Sequence, residues 1–234
     1  MRKAFTMAEV LITLGIIGVV AAMTLPTVIG KYQEHEVTVK AKKIYSMMMQ
    51  VLDLAKAKYD TAGDNSTLFT TATTDDELVR NFSEYLPGGF VCYSNAAANS
   101  KCKKLEYRYL YQTYSNKYGQ LALPAIILPD GGVIYPKVSA HKCIPTNASG
   151  ITLEPDGSVK YDEDGNPVIW HQVRDDCGTI YFDVNGPKEP NKAGFDVFAF
   201  TVFRNRVGAP YWGVYGYSSL ASILSGGKLI FNRN

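Results

Sequence analysis

From Val10 to Ile29 the chain has no charged side chain, and threonine supplies its only polar ones. The run is about 20 residues long, which at ~1.5 Å per residue matches the ~30 Å thickness of a hydrocarbon core. Beyond Lys31 the pattern becomes one-sided. Tyr32, Val39, Ile44, Met48, Val51, Leu52 and Ala55 recur at helical spacing, with Lys40, Lys42, Lys43, Gln50 and Lys56 largely opposite. The helix is therefore expected to continue to about Tyr59 with one apolar stripe turned to a core, Met47, Met48 and Met49 filling it.

Around Asp60 the composition shifts to Thr-Ala-Gly-Asp-Asn-Ser-Thr, a loop signal. Thr74-Asp75-Asp76-Glu77 reads as a capping box that opens a short helix to about Tyr85, closed by Pro87-Gly88-Gly89. The remainder is β-rich. Leu121 to Leu128 and Val133 to Tyr135 flank the turn Pro129-Asp130-Gly131-Gly132, and Val159 to Tyr161 and Val168 to Trp170 flank Glu163-Asp164-Gly165-Asn166. Thr179 to Val184, Phe195 to Phe203, Trp212 to Tyr215 and Lys228 to Phe231 are further expected strands. The fold class is α+β, with an antiparallel sheet packed on the long helix because each has a face to bury. About 170 residues beyond the long helix, from Thr61 on, suffice for one domain with a core.

Glu9 is the only charged residue between Lys3 and Lys31. A carboxylate at the centre of a membrane helix costs roughly 2.5 to 3.5 kcal/mol on insertion scales, so such a residue marks a function with a specific partner. Arg2 and Lys3 precede the apolar run, which places the N-terminus in the cytoplasm and everything from Lys31 outside. Gly15, Gly18 and Pro26 weaken the helix, and a bend is expected at Pro26, which lacks the amide hydrogen that Ala22 would accept.

The segment Ala4-Phe5-Thr6-Met7-Ala8-Glu9-Val10-Leu11-Ile12-Thr13-Leu14 resembles the N-terminus of type IV prepilins and type II secretion pseudopilins. Ala4 stands where that family usually has Gly. The resemblance implies a leader over residues 1–4 and cleavage between Ala4 and Phe5, followed by N-methylation of Phe5. Residues 5–30 would be the membrane and filament-core helix, 31–60 its continuation, and 61–234 an extracytoplasmic domain of pilin-like fold. Glu9, one turn from the new amine of Phe5, would accept that amine from a neighbouring copy and set axial register, since neither charge tolerates desolvation alone. The implied partners are copies of the chain or other pilins, a prepilin peptidase, the membrane and an assembly platform in the bacterial inner membrane. The resemblance implies a structural subunit and not an enzyme. The alternative is a secreted enzyme or binding protein with an ordinary signal peptide, for which Val20-Ala21-Ala22 is a poor cleavage site and the apolar run is too long.

Cys92, Cys102, Cys143 and Cys177 all follow the apolar segment and would lie in an oxidising compartment. Four cysteines allow three pairings. We expect Cys92 with Cys102, closing a small loop, and Cys143 with Cys177, clamping a central insertion. Zinc held by His141, Cys143, His171 and Cys177 is the rival reading, without the tight Cys-x-x-Cys spacing of most such sites. Asp183-Val184-Asn185-Gly186 opens like a calcium loop, with Asn191 and Asp196 as further oxygen donors; the same residues also serve an ordinary turn. Tyr107, Tyr109, Tyr111, Tyr114 and Tyr118 crowd one segment, a pattern used for sheet packing and for ligand surfaces. Without Arg2 and Lys3 the chain carries 22 basic against 22 acidic side chains, so bulk charge gives no footprint for nucleic acid. Lys101, Lys103, Lys104 and Arg108 form a local basic run, expected to be a solvated face.

Overall fold

The computed structural model describes residues 6–96, 99–113, 116–154, 157–210 and 214–231. Helix α1 runs unbroken from Met7–Lys58 through Pro26 and changes surroundings midway. Its buried residues are Val37, Ala41, Ile44, Met48, Val51, Leu52 and Ala55, a stripe at spacings of three and four that faces the domain. Tyr32 and Val39, expected in that stripe, are exposed: the domain begins to cover the helix only at Val37, and Val39 is turned away from it. Met48 is fully buried, with Met47 and Met49 packed at the edge of the same core.

Two short helices follow, α2 (Thr67–Thr70) and α3 (Asp75–Ser83). The Thr74–Glu77 capping box is formed as expected, each side chain bonding the other's backbone N–H. The strands are β1 (Phe90–Cys92), β2 (Tyr107–Thr113), β3 (Asn116–Leu121), β4 (Ala125–Ile127), β5 (Val133–Val138), β6 (Thr146–Ile151), β7 (Ile169–Arg174), β8 (Asp176–Asp183), β9 (Val197–Phe203) and β10 (Val207–Gly208). A last helix, α4, covers Val214–Leu224. Six strands form one sheet in the order β1-β4-β5-β8-β9-β10, and its pairings are antiparallel throughout.

This sheet is buried on both faces. Ile134, Ile180, Phe182, Phe198 and Phe200 face the helices, whereas Val133, Tyr135 and Val197 face the β2–β3 hairpin. All of β9 is therefore buried and reads as a continuous apolar run. Gly178 lets α2 sit directly on β8, where a Cβ would lie 2.6 Å from the Phe69 ring. The β6–β7 hairpin is a separate two-stranded arm between β5 and β8.

Several expected strands differ. The run Leu121 to Leu128 is split into the end of β3 and β4 by Pro124, which has no N–H to give a ladder. Val159 to Tyr161 makes only isolated bridges, Leu153 to Val159 and Tyr161 to Pro167, at the end of the arm. Of Trp212 to Tyr215, Trp212 lies outside the described residues and Val214 begins α4. Lys228 to Phe231 pairs with no strand; the Phe231 ring packs edge-on against Phe195 instead, 5.0 Å between centres.

Candidate functional site

The first candidate is the exposed end of α1. Thr6 caps it: the Glu9 carboxylate accepts from the Thr6 backbone N–H at 2.9 Å and from its hydroxyl at 2.8 Å, while the Glu9 N–H donates back to Thr6 Oγ1 at 3.2 Å. Thr6-x-x-Glu9 is thus a second capping box, written in the sequence as Ser/Thr-x-x-Glu just before the apolar run. It turns the only acid of the segment back toward the helix start. Ala4 and Phe5, the expected cleavage pair, lie outside the described residues. The Thr13 and Thr24 hydroxyls donate to the carbonyls of Val10 and Val20, so these side chains need no water. Leu11, Ile12, Leu14, Ile16 and Ile17 are all at least 60 % exposed, and the most apolar window of α1, mean hydropathy 2.2, is entirely unburied. Among the described residues α1 is the one helix long and apolar enough to cross a membrane.

The second candidate is the β8–β9 connection, where the four expected calcium ligands do converge. Asp183 and Asp196 are both fully buried. The Asp183 carboxylate accepts from the Tyr107 hydroxyl at 2.7 Å and from the Asn185 N–H at 3.0 Å. The Asp196 carboxylate accepts from the N–H groups of Asn191 at 2.9 Å and Lys192 at 2.6 Å. Burial holds the Asp183 carboxyl well above the ordinary carboxylate range, and the nearby Asp196 charge adds to it. Asp196 is raised as well, chiefly by burial, against the two N–H donors. The carboxylates thus knot their own loop. What remains for a cation is the pair of buried carboxamide oxygens of Asn185 and Asn191, neither of which has a hydrogen-bond donor. Among the described residues no three His, Cys, Asp or Glu side chains group as metal ligands.

The cysteines pair Cys92 with Cys102 and Cys143 with Cys177. The second bond joins the two roots of the β6–β7 arm. It also corrects the zinc alternative, since Cys143 and Cys177 have no thiolate to give; His141 Nδ1 hydrogen-bonds Thr146 Oγ1 and His171 lies on the arm itself. In the tyrosine segment, Tyr109 is buried against the sheet and stacks edge-on with Tyr111, Tyr107 reaches Asp183, and Tyr118 is exposed beneath Arg108. Tyr114 lies outside the described residues. Burial raises the phenols of Tyr107 and Tyr109, and lifts Tyr111 to about 12, so these are packing residues that keep their protons at neutral pH. Lys101, Lys103, Lys104 and Arg108 are exposed, as expected of a solvated face.

Compared with protein-family models, with curated proteins and with solved structures, the chain finds no match in any of the three.

Proposed function

We propose that the chain is a structural subunit of a type IV pilus or type II secretion pseudopilus, cleaved by a prepilin peptidase before Phe5 and held in the bacterial inner membrane until it assembles. The observation that carries this reading is a helix of 52 residues whose segment up to Gly30 is apolar all round, unburied, and charged only at Glu9. A helix apolar on every side needs an apolar environment that its own domain does not provide. Before assembly that environment would be the bilayer; afterwards it would be the same helix of other copies. In a bundle of such helices the Glu9 carboxylate would exchange its Thr6 donors for the Phe5 amine of a neighbour, and the pair would fix the axial step. The sheet domain, stiffened by two disulfides, suits an extracytoplasmic location and a pilin-like role as the outer layer of the filament.

Mass spectrometry of the mature protein tests the processing step, with an N-methylated Phe5 as the expected N-terminus. A start near Met23 would instead establish a secreted protein released from a signal peptide. Imaging of cells producing Glu9→Ala tests assembly: filaments are expected to be lost while the domain melts as before. Filaments of normal number would remove the role given to Glu9.

A further inference from the structure

The β6–β7 arm and the Lys101 to Arg108 segment lie at opposite ends of the main sheet. The arm springs from Val138 and Asp176, whereas Phe90, Ile127, Val133 and Asp183 form a row at the other end. Lys101 sits on that row, its ammonium 5.0 Å from the centre of the Phe90 ring. The eight residues of β8 put about 25 Å between the two ends. Helix α1 meets the domain at the Asp183 end, where Lys43 pairs with Asp130 at 2.7 Å. The loop that follows α1 reaches the other end, where the Asn65 N–H donates to the Arg204 carbonyl beyond β9. With the first half of α1 in a membrane, the basic segment faces the membrane side and the arm points away.

The arm has a chemistry that its own chain leaves unanswered. Ile151, Ile169 and Val173 share one face of the ribbon and are 51, 55 and 57 % exposed. A two-stranded ribbon with such a face is marginal alone in water. Its terminal turn carries Asp162, Glu163 and Asp164, all exposed and, among the described residues, in no salt bridge; the Asp162 carboxylate accepts from the N–H groups of Asp164 and Asn166 and so holds the turn. At the opposite end of the domain, Lys103, Lys104 and Arg108 are exposed and, among the described residues, pair with no acid. Phe90 and Tyr118, 39 and 50 % exposed, adjoin them as apolar surface.

We propose that the arm docks on the next copy of this chain, its acidic turn on Lys103, Lys104 and Arg108 and its apolar face over Phe90 and Tyr118. Copies whose α1 helices enter the same membrane share one orientation, which excludes the antiparallel two-fold pairing, and like charges keep two arm tips apart. Complementary charges at opposite ends of one molecule give a head-to-tail contact, which repeats without closing and so builds a filament. The inference rests on the filament reading, to which it adds which surfaces meet.

The test places a photoreactive residue at position 163 of the full chain in its own cells, and maps the cross-linked peptides. The expected adduct joins position 163 of one copy to a peptide within residues 101–108 of another. Lys103→Glu with Lys104→Glu should lower its yield about tenfold, and adding Asp162→Lys with Asp164→Lys should bring it back to within about threefold. Cross-links to lipid or to any other peptide overturn the proposal. So does loss of yield that the reversed arm fails to restore, which would assign the basic segment to anionic headgroups. Copies anchored at one height in a bilayer hold arm and basic segment about 25 Å apart, so the adduct requires the axial offset of a filament. Filaments that form without the adduct overturn the docking alone, whereas absence of filaments from the unsubstituted chain overturns the filament reading and the docking with it.

Discussion

Helix α1 is one continuous backbone with two kinds of surroundings. Its second half buries Ile44, Met48, Val51 and Leu52 to within 2 % of full burial and leaves its lysines outside. Its first half leaves Leu11, Ile16 and Val20 more than half exposed, with no polar face to set against them. An amphipathic helix is satisfied by its own domain, and an all-round apolar one is not; the change at Val37 marks where the chain stops supplying its own solvent. The two halves should therefore fail independently.

The largest effect tests that independence. Ile44→Asp puts an unpaired charge into a fully buried position and should cost the domain more than about 4 kcal/mol in denaturant unfolding of the detergent-solubilised full chain, with membrane association intact. Ile16→Asp should do the reverse, cutting recovery in the membrane fraction while domain stability stays within ~0.5 kcal/mol of the original. If Ile16→Asp weakened the domain comparably, the first half of α1 would have a partner within its own fold and the comparison would fail.

Next in size is the pair of hairpins. The β2–β3 hairpin is anchored by Tyr109 in the core and by the Tyr107 bond to Asp183, whereas the β6–β7 arm is held at its roots by Cys143–Cys177. That bond closes a stretch with a sequence separation of 34 residues, for which the loop-entropy account gives about 3 to 4 kcal/mol. Cys143→Ser with Cys177→Ser should lower domain stability by that order. Limited proteolysis should then cut first within residues 144–176 and leave the β2–β3 hairpin whole. Cleavage of both at equal rates would remove the distinction.

How far the sequence carried these features depended on whether the deciding force was local. The apolar run, the Thr74 capping box, β5, β8 and β9 were legible because each is written in consecutive residues. The buried stripe of α1 was legible in period and misplaced in extent: Tyr32 and Val39 fit the spacing, but the sheet, not the helix, decides which turns are covered. Strand β6, Thr-Asn-Ala-Ser-Gly-Ile, has turn composition throughout and becomes a strand only by pairing with Ile-Trp-His-Gln-Val-Arg across the arm. Helix α4 packs on β9 through Leu220 and Ile223, with the buried Ser219 hydroxyl donating to the Gly194 carbonyl; it was not among the expected elements, which placed a strand at Trp212 to Tyr215. At the β8–β9 loop the residue set was legible and its role was not, because only the folded loop shows which N–H groups reach the carboxylates.

The smallest effect separates the two accounts of that loop. Folding raises Asp183 and Asp196 above the ordinary carboxylate value, so between the unfolded value near 3.8 and the folded one the native state holds more protons than the unfolded chain. Stability contributed by these groups is complete below the unfolded pKa and is lost as pH rises through the folded one. Thermal melts of the full chain should therefore fall from pH 5 toward pH 8. Asp183→Asn, which keeps the shape and removes the charge, should make that slope shallower and raise Tm at pH 8 by about 2 to 4 °C, the shift that ~1 kcal/mol gives a domain of this size. Because the carboxylates are committed to Tyr107 and to the N–H groups of Asn185, Asn191 and Lys192, millimolar calcium should leave the melt unchanged. A calcium-dependent rise that Asp183→Asn abolishes would instead show that the cation recruits the carboxamide oxygens of Asn185 and Asn191, and that the loop is a metal site whose donors rearrange on binding.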